Sequence, residues 1–223
     1  MNRAELMRIA KPILFNTEMV RAILDGRKTV TRRLVKFLPG ENPKWTGYVK
    51  DGLMLYNGKN EPCIRKVPYH QGDILYVRET WQKAGLLDDY DQVIDGTEKY
   101  YYAAGPETPC FDFWIDSETG DHKDNMPWRP SIHMPKEAAR IFLKVTDVRV
   151  ERLQDITDEE AKREGSQPQN PFDYDVNKWP NKERFKEIWN STVKKSDLDT
   201  YGWDSNPYVW VIEFERCEKP EGE

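Results

Sequence analysis

At 223 residues the chain is long enough for one large domain or two small ones, and its 8 Trp, 11 Tyr and 8 Phe argue against disorder despite 33% charged residues and a mean hydropathy of −0.86. A formal charge of −5 counts against a generic duplex binder, which carries a basic excess to displace counterions, so any nucleic-acid contact has to be local. No apolar run approaches the roughly 20 residues of a membrane span. The first residues lack a signal-peptide core, and Cys63, Cys110 and Cys217 are too few and too scattered for a disulfide framework, so a reducing cytoplasm is expected.

After Pro12 a short strand feeds a helix, with Asn16 or Thr17 as its cap and Glu18 at the positive end of its dipole. Met19, Val20, Ile23 and Leu24 form its apolar stripe, and Gly26 stands where a helix needs a left-handed residue to stop. The β-branched TVTRRLV that follows reads as a strand, which places Lys28 and Thr31 on a turn running into it. Turn signals at Asp51-Gly52 and Asn57-Gly58 predict a small meander over 45–69. Gln71-Gly72-Asp73 turns into the strand ILYVRETW, and 82–135 is irregular with a strand at Tyr100–Ala104. ARIFLKVTDVRVERL reads as one long strand or two with a bend. Thr157 and Glu160 make a capping box for a short helix ending at Gly165. A second helix runs from about Asn181 with Phe185, Ile188, Trp189 and Val193 on one face, and PYVWVIEFE closes the chain as a buried strand. This order predicts an α+β protein built on a small β-barrel, with no composition break to mark a second domain.

The usual signatures of phosphate-loop, dinucleotide and serine-hydrolase sites are missing. His70, His122 and His133 are scattered and none pairs with a cysteine at zinc-ligand spacing, so neither metal nor cofactor is called for. What remains is Lys28 and Thr31, within the basic cluster of Arg27, Arg32, Arg33 and Lys36. A threonine hydroxyl needs a base nearby, and a lysine whose pKa is lowered by burial or by neighbouring cations can serve, with a carboxylate to orient it. Spacing alone favours the blander alternative, a solvated strand edge with arginines paired to surface acids.

Four motifs give a sharper expectation. Gly26-x-Lys28-x-x-Thr31-x-Arg33 resembles the opening signature of ASCH domains, relatives of the PUA RNA-binding domain. Gly72-Asp73 leading to Val77, Glu79 and Trp81 resembles that family's next strand. Leu153, Ile156, Ala161 and Glu164-Gly165 resemble its later helix, and Asn206 to Phe214 its closing strand. The match spans about Pro12 to Phe214 and is nearest to the longer bacterial and phage members, in which RPSIHMP and VERLQDIT recur. The resemblance implies a single PUA-like barrel with flanking helices, insertions at about 36–70 and 82–135, and a cleft for RNA or a modified nucleoside.

One branch of that family, the small N(4)-acetylcytidine amidohydrolases, uses a Lys, a Thr and a Glu at places matching Lys28, Thr31 and Glu164, which implies a base, a nucleophile and an orienting carboxylate. A metal-independent ribonuclease using Lys28, Arg33 and Glu79 is a further alternative. Gly26, Arg27, Arg33, Glu79, Trp81 and His133 are expected around the ligand. Each has a plainer role available: Glu79 lines the pocket or pairs with Arg33, Trp81 stacks on a base or sits in the core, and His133 reaches the cleft or makes a structural hydrogen bond.

Overall fold

The computed structural model describes residues 9–38, 48–50, 54–56, 59, 61–64, 67–85, 88–90, 92, 94–105, 114–115, 122–123, 128–166 and 181–219. Its contacts divide the chain into two compact units: Met1–Leu24, Leu75–Phe142 and Glu218–Glu223 in the first, Asp25–Ile74 and Leu143–Cys217 in the second.

In the first unit, strand β1 (Lys11–Leu14) leads into helix α1 (Thr17–Leu24). Asn16 takes the cap, its Oδ1 accepting the Met19 N–H at 2.9 Å, and this satisfies one of the four donors that a helix start leaves without partners. Val20, Ala22 and Ile23 are buried on the inner face, and Gly26, at φ 73°, stands just past the helix end where the sequence placed it. β1 runs parallel to β5 (Ile74–Arg78), with Lys11 opposite Leu75 and Leu14 opposite Arg78. Such a pairing needs a long crossover.

β6 (Trp81–Ala84) and β7 (Lys99–Tyr102) form an antiparallel hairpin with Trp81 opposite Tyr102. The strand expected at Tyr100–Ala104 starts one residue earlier and stops at Tyr102, where the chain turns and the Gly105 N–H donates to the Tyr102 carbonyl at 2.9 Å. β8 (Trp114–Ile115) and β9 (His122–Lys123) add a two-residue pair.

Glu79 follows β5 and is 1% exposed. Arg140 takes both its oxygens, at 2.9 and 3.0 Å. The same guanidinium lies 4.1 Å from the Tyr102 ring centroid, and the Tyr102 hydroxyl donates to the Ala138 carbonyl at 2.6 Å. Burial, against the opposing charge of Arg140, pushes the Tyr102 phenol up to about 12.

The second unit holds the longest strands, β10 (Phe142–Arg152) and β11 (Tyr208–Cys217), with β2 (Val30–Leu34), in the order β10-β11-β2. β11 is antiparallel to β2, placing Ile212 opposite Thr31 and Trp210 opposite Arg33. Helices α2 (Asp158–Arg163) and α3 (Asn181–Thr192) cover one face, and the short helix α4 (Leu198–Tyr201) follows them in the chain. There Val30, Val209 and Val211 pack with Leu153, Ile156, Ala161, Phe185, Trp189 and Trp203. The expected capping box is present: Thr157 Oγ1 accepts the Glu160 N–H and Glu160 reaches back to the Thr157 N–H. β3 (Tyr48–Lys50) and β4 (Met54–Tyr56) form the hairpin expected near 45–69, while both of its predicted turns lie outside the described residues.

The α+β class stands, and the described strands of each unit form open sheets. Among the described residues no helix is long and apolar enough to cross a membrane.

Removing Arg140 strands a buried carboxylate in the first unit, the case in which losing one partner costs about 3–5 kcal/mol. Arg140→Ala should therefore lower the unfolding free energy measured in urea by that amount, whereas replacing both partners with apolar residues (Glu79→Leu with Arg140→Met) should recover most of the loss.

Candidate functional site

Side chains of a strand alternate between faces, so in β2 Val30, Arg32 and Leu34 face the helices while Thr31 and Arg33 face the other way. An arginine between two core aliphatics is the unexpected residue. The side chain of Arg32 is 0% exposed, with its guanidinium 6.0 Å from the Phe185 ring centroid.

Lys28 lies just before β2, bridged in antiparallel fashion to Glu164, which caps the C-terminus of α2. The Thr29 N–H donates to the Arg163 carbonyl at 2.9 Å and Gly165 turns at φ 87°, so the end of α2 is sewn to the start of β2. A carboxylate at a helix C-terminus faces the negative end of the dipole and needs cations. Two are supplied. Lys28 Nζ donates to Glu164 Oε2 at 2.7 Å, and also to the Glu164 carbonyl at 2.8 Å and the Val30 carbonyl at 2.9 Å. Arg32 Nη1 donates to the other oxygen, Oε1, at 3.3 Å. Lys28 and Glu164 are 3% and 5% exposed.

From this centre charges alternate outward through the same unit. Arg32 Nη2 reaches Glu160 at 3.1 Å and Glu151 at 3.5 Å. Glu160 accepts from Arg149 at 2.7 Å, and Arg149 also engages Glu151, Asp147 and Glu213, which in turn holds Arg163. Burial lowers the pKa of Lys28, opposed by the charge and hydrogen bond of Glu164 and reinforced by Arg33 and Arg32. Burial also lowers that of Arg33, with Glu164 and Tyr69 favouring its charge. Burial raises the Tyr69 phenol, against the pull of Arg33. Glu160 and Glu213 stay below the ordinary carboxylate value: burial works against their charge, but Thr157, Arg32 and Arg149 at Glu160, and Arg163 and Arg149 at Glu213, outweigh it.

Set against protein-family models, curated proteins and solved structures, the chain matches none. The site therefore rests on its own geometry.

Of the residues singled out in the sequence, Lys28 and Glu164 meet, while Thr31 and Arg33 share the opposite face of β2. Arg27 is held by Asp25 at 2.8 Å in an exposed pair beside Gly26. In the first unit, both oxygens of Glu79 are engaged by Arg140. Trp81 is a core residue, 5% exposed, with Arg129 5.6 Å above its ring. His133 lies exposed in a single 3-10 turn. Sequence reasoning missed Arg32's inward position, Glu160, Arg149 and Glu213. The available signal was the period-two run Asp147, Arg149, Glu151, which puts three charges on one face of β10.

Breaking the central pair should cost about 3–5 kcal/mol for Lys28→Met or Glu164→Leu alone, and far less for the two together, in a double-mutant cycle by urea unfolding. The acid limb should also be steep. Glu160 and Glu213 have folded pKa values depressed below 4.5, so the stability they contribute is present above that pH and is lost as pH falls through their folded values. Thermal melts from pH 7 downward should show this loss, and Arg149→Met, which removes a cation from both, should flatten it.

Proposed function

We propose that the chain is a PUA-like ASCH domain that binds RNA or a modified nucleoside around Lys28, Thr31 and Glu164. One observation carries this reading: residues from two of the four resembling motifs, 136 positions apart in the chain, meet through the 2.7 Å bond from Lys28 to Glu164. Chance does not readily bury two charges of distant motifs against each other, since desolvation of each ion opposes it. The polar surroundings suit a nucleoside. Thr31 offers a hydroxyl, Arg33 a desolvated guanidinium and Tyr69 a phenol held protonated by burial, so a phosphate, a ribose hydroxyl and a base edge each have a donor of the right kind. β10, β11 and β2 would be staves of the barrel, and the acidic chain would take a single nucleotide or a strand end rather than a long duplex.

Hydrolysis of an acylated cytidine is the second reading, favoured by the lowered pKa of Lys28. In that reaction a neutral Lys28 takes the Thr31 proton as Thr31 Oγ1 attacks the acetyl carbonyl. The tetrahedral adduct then expels the cytidine amine, which leaves with that proton, and water releases acetate from the acyl-threonine. Binding ranks first because Lys28 Nζ donates to the Glu164 carboxylate and to two backbone carbonyls, the arrangement of an ammonium rather than of a free base.

Calorimetric titration with cytidine 5′-monophosphate, N(4)-acetylcytidine and a short single-stranded RNA tests the first reading. At least one should bind, and Arg33→Met should weaken it tenfold or more, the loss of about 1.5–3 kcal/mol expected for a hydrogen bond to a charged group. Absence of binding to all three would sink the proposal. Acetate release by the wild type that disappears in Thr31→Ala would promote the second reading over the first.

A further inference from the structure

Arg32 occupies a position where β2 otherwise presents aliphatic side chains to the helical layer, between Val30 and Leu34. A leucine there would pack against Phe185 without the penalty of a buried charge. The arginine even leaves its Nε buried without a hydrogen-bond partner, so its presence asks for an explanation in terms of what the charge touches. Its fork is spread across three carboxylates from two elements: Nη1 on Glu164 Oε1 at 3.3 Å at the end of α2, Nη2 on Glu160 at 3.1 Å in the first turn of α2, and on Glu151 at 3.5 Å in β10.

The consequence falls on Glu164. Lys28 binds only Oε2, because Oε1 is held from the other side. Were Arg32 absent, the carboxylate could turn both oxygens to Lys28, and the lysine would hold its proton as one half of a closed pair. With Arg32 in place the negative charge is shared, and Lys28 faces a second cation across the same carboxylate.

We propose that Arg32 is a positioning residue of this site, pinning Glu164 from the side opposite Lys28 and tying its orientation to Glu160 in the first turn of α2. The assignment rests on the reading of Lys28 and Glu164 as the ligand centre, yet its test does not depend on a ligand. The charged groups involved are, among the described residues, Glu164 from the end of α2 and Arg32 and Arg33 from β2 around Lys28, with Glu160 and Glu151 on the far side of Arg32. Both effects of Arg32 on Lys28, direct repulsion and competition for Glu164, favour loss of the Lys28 proton, so removing Arg32 acts in one direction only.

The experiment is an NMR titration of the intact protein with 13C-labelled lysines, the Lys28 signal assigned by its loss in Lys28→Arg. Arg32→Met keeps an unbranched stem against Phe185 and should shift the Lys28 midpoint to higher pH; a folded variant with an unmoved midpoint overturns the assignment. Should Arg32→Met fail to fold, Glu160→Gln decides. Glutamine at that position preserves the capping box, while loss of the outer carboxylate leaves Arg32 leaning harder on Glu164, so the Lys28 midpoint should move to lower pH. No movement there overturns the proposal equally. A wild type that binds none of cytidine 5′-monophosphate, N(4)-acetylcytidine and the short single-stranded RNA, while the midpoints shift as stated, rejects the reading of the site and still supports the role of Arg32.

Discussion

One buried carboxylate, Glu164, sits between two buried cations, Lys28 and Arg32, and the second unit is organised around that arrangement. The ions lie at the end of a six-residue helix, α2, which buries only Ala161 against the core and so has little apolar area with which to hold itself in place. Charge fixes it instead. From Lys28 through Glu164, Arg32, Glu160, Arg149 and Glu213 to Arg163 the sign alternates at every step, so each interior member touches opposite charge on both sides. Such a network is a poor source of net stability, because desolvation offsets the attraction. It is demanding about geometry, since a small displacement strands an ion. Position, more than stability, is what the arrangement supplies.

That demand explains which parts of the molecule could be read in the sequence. The ends of α1 and α2 were legible because their signals are local: Asn16 at a cap, Gly26 past a helix end, Thr157 and Glu160 three apart, whereas the four-residue α4 went unread. The closing strand was legible because both its faces are apolar. The site was legible only in part. Nothing in the spacing of Lys28 and Thr31 points to a carboxylate 136 positions on, and the family resemblance supplied that partner. The role of Arg32 was hidden because two adjacent arginines in a strand face opposite ways, and which one turns inward depends on a pairing register that the sequence does not print. Along β10 the buried side passes from Leu143 and Val145 to Val148 and Val150, a change of parity that obscures which charges share a face with Arg32.

Glu79 shows the same limit from the other side. Its partner is Arg140, 61 positions away and beyond an irregular stretch, where no short-range pattern leads. Trp81 illustrates the bias of aromatic residues toward the interior: its ring packs with Tyr100 at 5.8 Å inside the first unit, and the Arg129 guanidinium lies over it.

The protonation state of Lys28 separates the two proposed readings. As an ammonium it donates to the Glu164 carboxylate and to two backbone carbonyls, which makes it a fixed cation suited to hold that carboxylate's orientation. As a neutral amine it keeps two hydrogens and gains a lone pair, and one of those oxygens must then be released. The two carbonyls belong to backbone that is itself tied down on either side of the bridge, while the Glu164 carboxylate has Arg32 as an alternative partner. The oxygen most easily given up is therefore Glu164 Oε2. The same arginine that shares the carboxylate would stabilise it once the lysine lets go, so one structural feature, a second cation on Glu164, bears on how firmly Lys28 holds its proton.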